Sequence, residues 1–193
     1  MGTAGKIIIG MVIGVLLVGA MLTAGAVFTV RAAGEALGEY IETGADKAEA
    51  AVQTMADFTL PEGWKYEFSA NAAGVTIVNA NPVNGRGHIY LAQVSRDLPL
   101  DSGEIKARLQ EAAQLPDDRN PAEKMRLIGQ STATVRGQQV TIYQQEGINS
   151  DQQRYYMSSA FFEGKNGPAA ASILLTVDQW DEAFVQDFFS SIR

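Results

Sequence analysis

The chain has one histidine, His88, and no cysteine. Those two counts limit most of what catalysis could use. Without cysteine there is no thiol nucleophile, disulfide, iron–sulfur cluster or cysteine–zinc site. In a catalytic triad a histidine is the general base between a nucleophile and an orienting acid. Ser and Asp are plentiful, and no spacing singles out a triad around His88. Next to Gly87 at the mouth of a strand, it reads as a structural or surface residue. Asp117-Asp118, before Arg119, could bind a cation in a loop, but no ligand-spaced run follows and the Gly-centred calcium-loop pattern is absent. Asp178, Asp181 and Glu182 form a carboxylate cluster at the start of an apolar stripe. That is where a helix N-terminus favours acids, so capping is the reading rather than metal binding. Gly85-Arg86-Gly87 is too short for a nucleotide fingerprint, and neither a phosphate loop nor a nucleophile elbow occurs. The expectation is a protein that is not an enzyme and holds no cofactor or metal.

Tyr155, Tyr156, Phe161 and Phe162 offer contact rather than chemistry. They lie on a strand-like run, where neighbouring side chains point to opposite faces. One of each pair is then a candidate partner surface, unless helices cover both faces of the sheet. Charge narrows the partner. The net charge is −7, divided as +1 over residues 1–30, −4 over 31–58 and −4 over 59–193. An acidic domain without a basic stripe lacks the phosphate-neutralising groups that nucleic-acid binding depends on. The acidic stretch after the first 30 residues also argues against a polybasic lipid-binding patch.

The element that would position the domain comes first. Ile7 to Val30 are 24 consecutive uncharged residues, thirteen of them Ile, Val, Leu or Phe. As a helix they would reach about 36 Å, against roughly 30 Å of hydrocarbon in a bilayer. At roughly −0.3 to −0.6 kcal/mol for each large aliphatic or Phe residue near the bilayer centre, insertion is favoured. The reading is an uncleaved anchor in contact with the lipid bilayer through residues 7–30. The competing reading is a cleaved signal peptide with Ala24-Gly25-Ala26 as its small-x-small site, although the apolar run is longer than usual and only Lys6 precedes it. The positive flanks are nearly balanced. The favoured orientation has the N-terminus in the cytoplasm and the C-terminal domain outside it, in a single-pass cell-membrane protein. Gly10 and Gly14 have the spacing of a candidate helix–helix contact, and glycine is also simply common in membrane helices.

Three segments follow from this: an anchor over 1–30, a helical juxtamembrane stalk over 31–58, and a globular domain over 59–193. The stalk has near-helical spacing of Leu37, Ile41, Ala48, Val52 and Met55, either continuous with the anchor or broken near Gly44. In the domain, Leu60-Pro61-Glu62-Gly63-Trp64 marks the start. Strands are expected over 64–69, with Trp64, Tyr66 and Phe68 on one face, then over 75–78 and 89–94, with a loop over 79–87. Asp101 opens a helix ending before Pro116. Four further strands run from 125 to 135 with a bulge at Gly129, then 140–145, 154–163 and 169–177, with Arg136-Gly137 as a turn. Asp178 caps a closing helix whose stripe is Trp180, Ala183, Phe184, Phe188 and Ile192. The fold class is α+β: a mainly antiparallel sheet of about six or seven strands, covered by two amphipathic helices and preceded by one transmembrane helix and the stalk.

The Leu60-Pro61-x-Gly63-Trp64 opening, Val135-Arg136-Gly137 between two strands, and Phe188-Phe189-Ser190-Ser191-Ile192 at the end resemble the PsbP-like superfamily over residues 59–193. The resemblance implies a non-enzymatic domain that binds or stabilises a membrane-associated complex. It carries over no metal ligand and no partner-binding residue. The function expected is a membrane-tethered extracytoplasmic binding or assembly module, an accessory protein or subunit with a protein partner in a membrane complex. A carrier or sensor of a small apolar ligand, held between sheet and helix, is the alternative.

Overall fold

The computed structural model describes residues 41–72, 74–97, 126–148 and 152–193. The anchor at 7–30, the Gly10/Gly14 pair, Asp117-Asp118 and the helix opened by Asp101 lie outside the described residues. Among those described, no helix is long and apolar enough to cross a membrane.

Among the described residues eight strands form one antiparallel sheet. In chain order they are β1 (Ile41–Thr43), β2 (Trp64–Ala72), β3 (Val75–Pro82), β4 (Gly87–Val94), β5 (Arg126–Val135), β6 (Gln138–Ile148), β7 (Arg154–Glu163) and β8 (Pro168–Thr176). Two helices accompany them, α1 (Ala45–Met55) and α2 (Glu182–Ser190). The spatial order is β1-β2-β3-β4-β8-β7-β6-β5. Two meanders therefore meet where β4 pairs with β8, Ile89 facing Ile173. The hairpins β2–β3–β4 and β5–β6–β7–β8 need only short turns, which explains the antiparallel pairing within them.

One face of the sheet carries the main core. Val78, Ala80, Ile89, Leu91, Val135, Ile142, Ala160, Ala171 and Ile173 alternate inward from six strands and meet Ala48, Val52 and Met55 of α1 and Val185, Phe188 and Phe189 of α2. Every second residue points this way because the strand period is two. Both helices contribute to this core. Residues 41–55, read from sequence as part of a stalk, supply the edge strand β1, paired with β2, and the helix α1. Gly44, at φ 130°, makes the break between them, a conformation that costs residues with a side chain.

The C-terminal end of α1 is clasped by the β7–β8 hairpin. Lys165 donates its backbone N–H to Met55 O at 2.7 Å, and its ammonium donates to Gln53 O at 3.0 Å and to Asp57 Oδ1 at 2.5 Å. Asn166 Nδ2 donates to Thr54 O at 3.0 Å. These donors satisfy the carbonyls that a helix end leaves without partners. Asp57 and Arg193 exchange both backbone hydrogen bonds, at 2.6 and 2.8 Å, and so fix the chain terminus to the same corner.

Several local expectations need correction. β3 continues through Asn79 to Pro82, because Asn79 is buried and its Nδ2 donates to Ile89 O at 3.4 Å instead of turning the chain. A bulge between Tyr66 and Phe68 resets the alternation of β2, so Phe68 pairs with Asn79 on the face opposite Trp64 and Tyr66. The β5 bulge falls between Leu127 and Gly129, one residue from where the sequence suggested it. Arg136 and Gly137 do form the β5–β6 turn, both with positive φ (50° and 73°), as a two-residue hairpin with primed-turn geometry requires. Arg136 is held in that costly conformation by donating its N–H to Ile192 O and its Nη1 to Glu163 O.

The closing helix starts later than expected. Asp178 lies in a 3-10 turn (Val177–Gln179), and Asp181 is the N-cap, accepting from the N–H groups of Ala183 and Phe184 at 2.9 and 3.3 Å. Extended backbone at Trp180 separates the two and rotates the stripe: Val185, Phe188 and Phe189 are buried while Ala183 is exposed. Asp181→Ala is expected to lower stability by about 1 kcal/mol, read as a shift of the urea midpoint, whereas Asp178→Ala leaves it in place.

Candidate functional site

The face of the sheet opposite the two described helices carries the polar side chains of interest. β3 and β4 are joined by the short Val83–Arg86 loop, and their register brings Asn81 beside His88. The bulged residue of β2, Glu67, has no ladder partner, and its carboxylate accepts a hydrogen bond from Asn81 Nδ2. Asn81 Oδ1 lies 2.7 Å from His88 Nδ1. The His88 ring stacks on Tyr90, two residues along the same strand, with centroids 5.6 Å apart and planes 23° apart.

The donors in this series can be assigned. A carboxylate only accepts, so Asn81 must turn its NH2 to Glu67 and its carbonyl to His88. His88 Nδ1 then carries the proton and donates to Asn81. The neutral imidazole is left with an unprotonated Nε2, an acceptor. Burial lowers the His88 pKa below its ordinary 6.5, with Glu67 opposing that shift. Burial also raises the Tyr90 phenol well above its usual range, Glu67 adding to it, and pushes Tyr66 up to about 12, with Glu49 of α1 adding to it.

A linkage effect follows. The folded state disfavours the charged imidazole, so the unfolded chain takes up a proton first as pH falls below 6.5. The contribution of His88 is complete above pH 6.5 and is lost as pH falls through its lower folded pKa. Urea titrations of the wild type and His88→Gln should therefore diverge least at mildly acid pH, and the variant should show a flatter stability profile between pH 6.5 and the folded pKa. Parallel profiles would contradict a buried neutral imidazole.

His88, Asn81 and Glu67 line a cleft of about 740 Å³. Its apolar wall is Tyr155 and Leu174, which with Met157 form a small buried cluster on this face. Arg86 stands on the rim. Its Nη1 donates to Gln153 Oε1 at 2.9 Å, and its backbone N–H donates to Gln179 Oε1 at 2.9 Å, which also accepts from Thr176 Oγ1 at 2.8 Å. The size suits a small organic molecule.

No family model and no curated protein matches the chain. In fold it is similar to the solution structure of cyanobacterial PsbP (CyanoP) from Synechocystis sp. PCC 6803, at 14% identity and a TM-score of 0.45, over 80% of this chain and 92% of that one. A likeness of that degree assigns neither family nor function.

The aromatic residues singled out on β7 do not share a surface. β7 is an inner strand between β8 and β6. Tyr155 and Phe162 are buried, on opposite faces of the sheet. Tyr156 is half-buried, edge-on to Trp180 at 5.1 Å, and Phe161 is half-buried, 6.3 Å from Tyr143. The large apolar side chains exposed on the sheet lie instead towards its β5 side: Leu127 at 36%, Ile128 at 40% and Ile148 at 40%. Beside them Glu146 accepts from Arg126 at 3.0 Å and from Arg154, and these two bonds lower its carboxyl pKa. Among the described residues no cluster of three metal-ligating side chains occurs.

The Glu67–Asn81–His88 series is what the sequence reading missed. Treating residues 79–87 as loop hid it. Extending β3 to Pro82 makes the hairpin short enough for antiparallel register to place Asn81 against His88.

Proposed function

We propose that this chain is a non-enzymatic binding or assembly module, tethered to the cell membrane by residues 7–30 and working outside the cytoplasm as an accessory protein of a membrane complex. The observation that carries the reading is the uncharged apolar run from Ile7 to Val30, placed shortly before the first described strand of the sheet at Ile41. Ten residues separate the two, spanning at most about 36 Å when fully extended. A tether that short keeps the domain beside the bilayer, where a membrane subunit is the partner within reach.

The use of the polar side chains supports binding over catalysis. Glu67 is engaged by Asn81, so among the described residues His88 Nδ1 meets an amide and not a carboxylate, and the buried Ser159 and Ser172 hydroxyls bond each other at 2.8 Å. Ile128, exposed in the bulge of the edge strand β5, is the apolar side chain that this reading assigns to the partner. The full chain, crosslinked in its native membrane and purified in mild detergent, is expected to bring down a membrane protein, and Ile128→Asp is expected to lose it. A chain that always runs alone overturns the reading.

A further inference from the structure

We propose that the cleft between Glu67, His88 and Arg86 binds a small aromatic carboxylate bearing a hydroxyl group. The proposal depends on the geometry of the cleft and not on the tether or the protein partner.

Three features define the ligand. First, the cleft holds about 740 Å³ against a wall of Tyr155 and Leu174. Its apolar wall gives an organic ring a surface to pack against that a bare inorganic anion would not use, and the cleft has room for one. Second, the Arg86 guanidinium is held at the rim by Gln153, a neutral partner, at 2.9 Å. The guanidinium has further N–H groups for a ligand carboxylate, the pairing for which its planar fork is suited. Third, the Glu67–Asn81–His88 series fixes the imidazole with its proton on Nδ1. Nε2 is then an acceptor, so it calls for a donor such as a hydroxyl and disfavours a second acceptor. His88 lines the cleft and is half-buried, so a ligand hydroxyl that reaches Nε2 adds a hydrogen bond that its hydroxyl-free analogue cannot make. Lys65, also on the lining, adds to the cationic side of the cleft.

The single histidine makes the test specific, since every imidazole signal belongs to His88. The full chain, labelled with 15N at histidine and held in nanodiscs, is titrated with 4-hydroxybenzoate, benzoate, phenol and inorganic phosphate. Without ligand, Nδ1 is expected to appear protonated and Nε2 unprotonated. 4-Hydroxybenzoate should shift Nε2 saturably. Benzoate and phenol should each bind roughly tenfold or more weakly, and so should 4-hydroxybenzoate to Arg86→Gln. Asn81→Leu should move the proton to Nε2 and remove the preference for the hydroxyl while the domain stays folded by its amide spectrum. A proton on Nε2 in the wild type overturns the proposal. So does no saturable shift at millimolar 4-hydroxybenzoate, equal binding of phosphate, or unchanged affinity in Arg86→Gln.

Discussion

Phe188→Ala is expected to destabilise the domain by about 3–5 kcal/mol, the range for truncating a buried aromatic ring. Phe188 is 2% exposed and sits where the core elements converge. Its ring meets Phe58, in the segment after α1, edge-on at 5.6 Å, and Phe189 at 4.8 Å. The loss therefore combines transfer, a cavity and two aromatic contacts. A domain of this kind has roughly 5–15 kcal/mol in all, so one substitution removes a large share. The collapse that could refill the space is restricted: Asp57 and Arg193 are joined by paired backbone bonds, and Lys165 holds Asp57 and Gln53 in place. Urea unfolding should show a lower midpoint at an unchanged slope. Phe184→Ala is the comparison. That ring is half-buried and stacked on Trp64 at 6.2 Å, so its loss should cost clearly less. Equal costs would mean that the core is centred elsewhere.

The strands that read clearly from sequence are those whose apolar residues are β-branched or aromatic and whose ends carry turn residues. β7, with its four aromatic residues, appears at the expected limits for that reason, and β8, rich in Ala and Leu, falls within a residue of them because the Gly164–Pro168 turn marks its start. What failed did so where a long-range contact outweighed a local signal. Asn79 and Asn81 look like turn residues, yet both amides are engaged across strands, with Ile89 O, Glu67 and His88. A residue that favours turns because it can bond nearby backbone is equally able to bond a neighbouring strand. The bulge at Glu67 leaves no mark in composition, and without it Phe68 falls on the wrong face. Asp178 and Asp181 are equivalent as caps by type, and only the backbone at Trp180 decides between them. The helix α1 was visible as a period, but whether such a thin stripe packs on its own sheet or on another chain depends on the β1–β2 pairing, which periodicity does not encode. The site shared that fate. Its three residues come from three strands, 21 positions apart from Glu67 to His88, and register brings them together.

With the tether proposed for residues 7–30, Leu16→Arg together with Leu17→Arg is expected to shift the full-length chain from the membrane to the soluble fraction. Both lie near the middle of the Ile7–Val30 run, where a helix spanning the bilayer would place them in its centre. Each arginine there costs about 2.5–3.5 kcal/mol on the insertion scale, and each leucine lost removes a further few tenths. Thirteen large aliphatic and Phe residues at roughly −0.3 to −0.6 kcal/mol contribute a total of similar size to the two new charges together. Gly, Ala and Thr in the same run offset part of it, so the doubly charged segment no longer favours lipid. Paired placement matters, because a single arginine near an end can extend to the headgroups and escape most of the cost. The measurement is the partition of the chain after carbonate washing and centrifugation of lysed cells, compared with Thr3→Arg, which adds the same kind of charge outside the run. If the double variant pellets like the wild type, residues 7–30 do not hold the chain in the bilayer. If the wild type is itself soluble without detergent, the domain works away from membranes, and the cleft beside His88 remains as its own, separately testable site.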